Sequence, residues 1–418
     1  MTRTTARSRP RSTVAPAIAL GLAVCLLVTA LPASATGAGT GTAFDRTVSD
    51  QTSRAAVAEE VDQEDQERAE AMEELAETTD TDFYATPATL PADAGTLIRH
   101  EAMDFYVDPV KLIRHPATAT RIMYSSIDAR GEMIPVTGTV LAPTTAWRGA
   151  GERPVIGYGV GTQGLADRCA PSRALATGQE YEGLVNSSLL SQGYTVVVTD
   201  YEGLGTEGLH TYMVRESQGH AVLDSLRAAA QVPASGVTAD TPAALVGYSQ
   251  GGGASASATE LAPDYAPELN LKGAFAGAVP ADLFAVADQI DGSLYSEFLL
   301  FAVAGQFAAY GLEPGDYLNA RGLELRQEAT ENCTVDGLLE HAFVDSSTLT
   351  TSGEEFKDLV LSDSRLEAVI SDQRIGADRA PEIPVVITHS LLDDVIPYAA
   401  GKALAGRWCE AGATVSLD

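Results

Sequence analysis

The sequence predicts an α/β protein built on a largely parallel sheet, and three observations predict it. Short continuous apolar runs recur at 154–159, 194–199, 243–246, 272–279 and 384–388. Runs that are apolar on both faces suit strands covered by helices on either side. Helix-compatible segments alternate with them, at 214–232 (Val222, Leu223, Leu226 and Ala230 at helical spacing), 252–261 and 399–411. The third observation is Gly247-Tyr248-Ser249-Gln250-Gly251, set between the apolar run 243–246 and the small-residue segment 252–261. Strand, sharp turn and helix in succession is a unit of a wound α/β sheet.

In chain order, Arg3, Arg7, Arg9 and Arg11 precede the apolar run 14–31, and Ala33-Ser34-Ala35 supplies a small-residue cleavage site. Residues 1–35 therefore read as a secretory signal peptide. Later runs are too short or too charged to span a bilayer, so no stable membrane anchor is expected. Residues 36–80 are polar and acidic, with apolar positions too sparse to bury a face, and read as a solvated, disordered leader. Net charge is −30, and removing four arginines with the signal takes it to −34. Such a surface repels nucleic acid and anionic membranes, so no nucleic-acid partner is expected. Nothing in the pattern sets an oligomeric state.

The folded domain is expected over 81–418. Two β-rich runs, 121–126 and 135–141, flank the polar turn Asp128-Ala129-Arg130-Gly131 and predict a hairpin. The parallel strands and helices follow, but between about 281 and 380 the alternation stops. There Ser293 is placed to cap a helix running to Tyr310, stopped by Gly311 and Pro314. Leu294, Phe298, Leu299, Leu300, Phe301, Val303 and Phe307 make it apolar on nearly every side. A helix of that kind is buried by plain packing or turned toward an apolar ligand. On the second reading the insertion is a cap, with Phe298, Phe301 and Phe307 facing substrate.

The pentapeptide at 247–251 carries the chemistry. Its turn forces the serine into a strained backbone conformation, and glycines two positions to either side leave room for the neighbouring chains. The Ser249 hydroxyl then stands at the carboxyl edge of the sheet, with the Gln250 N–H free to hold an oxyanion. The glycine-rich run 159–164 ends an earlier strand, so Thr162 or a neighbour is the second donor. The orienting acid should leave a strand after the nucleophile. Asp393, four residues ahead of Pro397, is the choice, and Asp394 competes with it.

Together these pieces resemble the secretory lipase family, α/β-hydrolases typified by fungal lipase A. The resemblance runs from about Phe83 to the end of the chain. It rests on Gly157-Tyr158-Gly159-Val160-Gly161-Thr162-Gln163-Gly164, Cys169-Ala170-Pro171-Ser172, Asp200-Tyr201-Glu202-Gly203-Leu204-Gly205, 247–252 and 393–398. It implies an α/β-hydrolase fold with a large, mainly helical cap, and a secreted enzyme that hydrolyses acylglycerols or related esters. Ser249 is then the nucleophile, Asp393 the acid and the insertion a lid over an acyl tunnel. No cofactor or metal is implied. Cysteines 169, 333 and 409 outside the signal segment are odd in number, and the family's habits suggest Cys169 with Cys333, leaving Cys409 unpaired.

One part of the family pattern is missing. The histidine lies beyond the last strand in this fold, whereas all six histidines here precede Asp393. His389 is nearest, but it ends the acid's own strand and reads as a packing or turn residue. The expectation is therefore a chain truncated at its C-terminus, with a histidine within the next ~30 residues, a loop-length estimate. Alternatives are a catalytically dead hydrolase fold that binds an apolar ligand, or a shorter-chain, cutinase-like carboxylesterase. The long apolar insertion argues against the latter, and the lack of a preceding repeat region argues against a peptidase of the same fold.

Overall fold

The computed structural model describes residues 82–418. The signal and leader segments at 1–35 and 36–80 lie outside the described residues. The chain opens with three strands, β1 (Leu97–Met103), β2 (Ala117–Ile127) and β3 (Met133–Pro143). β2 and β3 form the expected hairpin, antiparallel from Ala117↔Pro143 to Ile127↔Met133. β1 was not evident in the sequence, because its residues are only half-buried or exposed. Next come β4 (Val155–Gly159), the short helices α1 (Pro171–Thr177) and α2 (Gly183–Ser191), and β5 (Thr195–Glu202). Then follow α3 (Arg215–Ala229), β6 (Ala243–Tyr248), α4 (Gln250–Tyr265) and β7 (Leu271–Gly277).

Six further helices form the insertion after β7: α5 (Leu283–Ile290), α6 (Ser296–Tyr310), α7 (Ala320–Ala329), α8 (Thr334–Glu340), α9 (Phe356–Ser362) and α10 (Ser364–Asp372). The chain then returns to the sheet through β8 (Val385–Thr388), α11 (Tyr398–Glu410) and β9 (Val415–Leu417). The sheet has nine strands in the order β1-β2-β3-β5-β4-β6-β7-β8-β9. The first three run antiparallel to their neighbours, and the pairs from β5 to β9 are parallel. After β4 the chain steps to one side as β5 and then crosses to the other as β6. Loops leaving the carboxyl ends of β4 and β6 therefore meet at a topological switch point, where such sheets place their ligands.

Two apolar cores follow from this layout. The larger joins buried strand residues such as Val140, Val197 and Leu245 to Val222, Leu226 and Trp408 of the flanking helices. The second lies inside the insertion, around Leu300, Phe301, Ala304, Leu325 and Leu366. Helix α6 belongs to both readings offered by its composition. Phe301 and Ala304 are fully buried in the insertion core, while Phe298, Val303 and Phe307 border a cavity. Its start differs from expectation: the helix begins at Ser296, and Ser293 Oγ instead accepts the Tyr295 N–H (3.0 Å) in the turn before it. Gly311 ends it in the left-handed region at φ 58°, as expected.

The insertion is tied to the sheet beside β4. Cys169 and Cys333 form a disulfide across a separation of 164 residues, and Cys409 is free and exposed. Hydrogen bonds flank the bridge, from Leu165 N–H to Asn332 O (3.0 Å) and from Thr334 N–H to Gln163 O (3.0 Å). Closing so long a loop restricts the unfolded chain. Replacing both cysteines with serine is expected to lower stability by about 2–5 kcal/mol in a urea melt, while Cys409→Ser leaves it within about 0.5 kcal/mol.

Candidate active site

The elbow at Ser249 is built by close backbone contact. Gly159 and Gly247 are paired across β4 and β6, so the loops that follow them leave side by side. A side chain on Gly251 would sit 2.0 Å from the Gly159 carbonyl oxygen, and one on Gly247 would sit 2.1 Å from that of Gly251. Only glycine fits either position. Between them Ser249 adopts φ 57° and ψ −120°, a conformation that costs a non-glycine residue on the order of 1–3 kcal/mol. It is pinned by its own N–H on Gly277 O (3.0 Å) and by Gly253 N–H on its carbonyl (3.0 Å). Half-exposed, it borders the cavity.

Gln250 is the first residue of α4, so its N–H has no partner within the helix. Its side chain is immobilised: Nε2 donates to His210 Nε2 (3.0 Å), and His210 Nδ1 donates to Glu202 O (2.8 Å). That pattern assigns the proton to Nδ1. Burial pushes His210 down to about 4, so the ring is neutral at neutral pH.

Facing the elbow, the loop after β4 is held almost atom by atom. Val160 O accepts the Tyr201 hydroxyl (2.9 Å), and Gly161 N–H donates to Glu182 Oε2 (2.8 Å). Thr162 O accepts the hydroxyls of Tyr181 (3.1 Å) and Thr334 (2.7 Å), and Thr162 Oγ1 pairs with the Tyr212 hydroxyl (2.8 Å). Among the described residues the Thr162 N–H makes no hydrogen bond. The Thr162 N–H on this loop and the Gln250 N–H at the start of α4 are thus both without a partner. The sequence runs named above also explain one another: Asp200 accepts the Ser172 N–H (2.9 Å), the Ser172 hydroxyl and the Thr137 hydroxyl (2.7 Å), locking 169–172 onto β5.

Beyond β8 the two candidate acids separate. Asp393 Oδ1 accepts the N–H groups of Val395 (3.0 Å) and Ile396 (2.8 Å), and its side chain is 9% exposed. Asp394 is exposed and accepts the Tyr295 hydroxyl (2.8 Å). Val395 and Ile396 border the same cavity as Ser249. Burial, followed by the charges of Asp393 and then Asp394, raises the Tyr248 hydroxyl above its ordinary value. None of the six histidines hydrogen-bonds Ser249. His389 is buried, with Nε2 donating to Ile396 O (2.9 Å) and lying 3.6 Å from Asp393 Oδ2, too far for a hydrogen bond. It staples the turn that follows Asp393, as its place at the strand end suggested.

The cavity runs from Ser249 between α5, α6, α9 and α10, and its walls are almost wholly apolar. Phe298 and Phe307 line it. Phe301 does not, and the expectation that it faces substrate is corrected: it packs edge-on against Tyr212 behind the wall and is fully buried. The helical rotation between 298 and 301 turns the ring into the insertion core.

The secretory lipase family model matches residues 169–417, more than half of the chain. The chain belongs to the secretory lipase family. It is 31% identical over 352 residues to a probable inactive lipase of Mycobacterium tuberculosis (strain CDC 1551 / Oshkosh), covering 81% of this chain and 76% of that one. It is 26% identical over 357 residues to a secreted triacylglycerol lipase of Malassezia restricta, covering 82% and 74%. In fold it is similar to Candida antarctica lipase A in its closed state, with a TM-score of 0.70, 23% identity and coverage of 81% and 79%. The architecture is that of an α/β-hydrolase, and membership places the chain among lipase-type hydrolases of lipid or ester substrates. Among the described residues no helix is long and apolar enough to cross a membrane.

Sequence reasoning missed Glu180, Tyr181 and Glu182, because two acids in a Gly-flanked loop look solvated. In the fold both carboxyls are buried beside Gly161 and Gln163. Burial raises both well above the ordinary 4.5, and the Glu182 charge raises Glu180 further. A carboxyl raised by folding leaves stability intact below its unfolded value and erodes it as pH climbs through the raised one. Stability should therefore fall from about pH 5 to about pH 8. Glu180→Gln is expected to flatten that fall by a few degrees of melting temperature, measured calorimetrically at both pH values.

Proposed function

We propose that this protein is a secreted serine ester hydrolase of the lipase type, cleaving acylglycerols or related carboxylic esters through an acyl-enzyme on Ser249. The observation that carries the reading is the strained Ser249 lining an apolar cavity, with an unpartnered N–H on the residue after it and another on the loop that follows the neighbouring strand β4. The acyl chain lies along Phe298 and Phe307, which brings the ester carbonyl to Oγ. The Thr162 and Gln250 N–H groups then receive the charge that develops on the carbonyl oxygen. Asp393 orients the base, since its carboxylate is held by two backbone donors while Asp394 faces outward on Tyr295. The signal-like segment 1–35 and the relatives named as secreted lipases support export.

The mechanism needs a general base, and none of the six histidines takes that place. One relative is named a probable inactive lipase, which supports a second reading, an apolar-ligand binder with the hydrolase fold. The two separate on the whole natural chain as its host secretes it. A fluorophosphonate probe is expected to label the native protein and not Ser249→Ala. Absence of labelling and ester turnover, together with saturable fatty-acid binding, would establish the binder.

Two side-chain comparisons refine the assignment. Asp393→Asn is expected to lower kcat by about ten-thousandfold, as loss of the orienting acid does in a triad, and Asp394→Asn by less than about tenfold. Phe307→Ala should shift preference among nitrophenyl esters toward longer chains. Phe301→Ala should instead cost about 3–5 kcal/mol of stability, read from a denaturant melt, with chain preference unchanged.

A further inference from the structure

Three consecutive residues before α2 grip three consecutive residues of the loop after β4. Glu182 Oε2 accepts the Gly161 N–H at 2.8 Å. Tyr181 donates its hydroxyl to Thr162 O at 3.1 Å. Glu180 Oε1 accepts Gln163 Nε2 at 3.0 Å, and the same amide nitrogen reaches back to Gly161 O at 3.3 Å. The match is steric as well, because a side chain on Gly161 would lie 2.5 Å from the Tyr181 hydroxyl. We propose that Glu180-Tyr181-Glu182 is a positioning clamp that sets the direction of the Thr162 N–H toward the substrate oxyanion. This rests on the ester-hydrolase reading of Ser249.

The clamp is not explained by stability. Burying two carboxyls side by side disfavours folding, and well-packed apolar residues of the same volume would serve a purely structural role better. A carboxyl oxygen, however, accepts a backbone N–H whether or not the group is ionised, which no apolar residue can do. Fixing the peptide planes on both sides of Thr162 leaves its own N–H one direction, and that direction must already be in place when charge develops on the substrate oxygen. Glu182 and Tyr201 together hold the 160–161 peptide by its N–H and its carbonyl, and the carbonyl of the donor peptide itself, Gly161 O, is held by Gln163 Nε2, which Glu180 fixes.

The test uses the whole natural chain with Glu182→Leu, Glu182→Gln and Tyr181→Phe. Loss of an oxyanion donor costs about 100-fold or more in rate, so Glu182→Leu is expected to lower kcat on a nitrophenyl ester by about 100-fold with KM within about twofold. Glu182→Gln keeps an acceptor oxygen and should stay within about tenfold of native kcat, and Tyr181→Phe should fall between the two. Amide hydrogen exchange supplies a readout that needs no turnover. Peptides over 160–165 should exchange about tenfold faster in Glu182→Leu than in the native protein or Glu182→Gln, with β5 peptides unchanged. Native kcat in Glu182→Leu, or exchange that accelerates equally throughout the fold, overturns the clamp. Should native turnover not depend on Ser249, the ester-hydrolase reading falls and the exchange comparison alone decides whether 180–182 holds the loop.

Discussion

Three glycines in backbone contact set the geometry on which everything else depends. Gly159 ends β4, Gly247 ends the body of β6, and Gly251 lies in the first turn of α4, all within a side chain's width of one another. The approach lets β6 turn abruptly into α4, which drives Ser249 to φ 57° at the sheet's carboxyl edge. A methyl group on Gly247 or Gly251 would push these segments apart and release the strain that aims the serine, and one on Gly159 would crowd Gly251 and the Tyr201 hydroxyl. The cost of the strained residue is carried by the packing of α4 against α3, β6 and β7, in which Ala254, Ala256 and Ala258 are fully buried.

Around that contact, each flanking segment contributes one restraint. The 169–172 run and Asp200 lock together and position α1 against β5. Tyr201, itself at φ 69°, reaches the loop after β4 from below, and Glu180 to Glu182 reach it from the side. The disulfide brings residues 332–334 of the insertion onto the same loop. Restraint from several independent elements is what a site needs if its hydrogen-bond donors are to be aligned before reaction rather than during it.

The insertion has a double role that one helix makes visible. Over its fifteen residues α6 sends Phe301 and Ala304 into its own core and Phe298, Val303 and Phe307 to the cavity. An amphipathic helix could not do this, since each face meets an apolar neighbour. The stability of the insertion and the shape of the cavity are therefore coupled through α6, and core substitutions there will be felt at the cavity wall.

The sequence by itself determined the buried parallel strands β4 to β8, the elbow and its serine, the hairpin and the family, because each depends on local pattern: apolar runs, glycine spacing and short motifs; the half-exposed β1 carried no such pattern. It also put forward Asp393 as the orienting acid, with Asp394 as its competitor. Only the tertiary structure shows their different surroundings, one carboxylate turned onto the backbone of its own loop and the other onto Tyr295. Likewise the periodicity of α6 held no record of which phenylalanine faces the cavity, since both sides of the helix are apolar. Glu180 and Glu182 were illegible for a related reason. Burial of an acid is decided by what folds over it, and the groups that meet these two carboxyls come from the loop after β4, well before them in sequence. Local composition encodes where the backbone can turn and what it will bury, but which polar groups end up facing each other is a property of the assembled sheet.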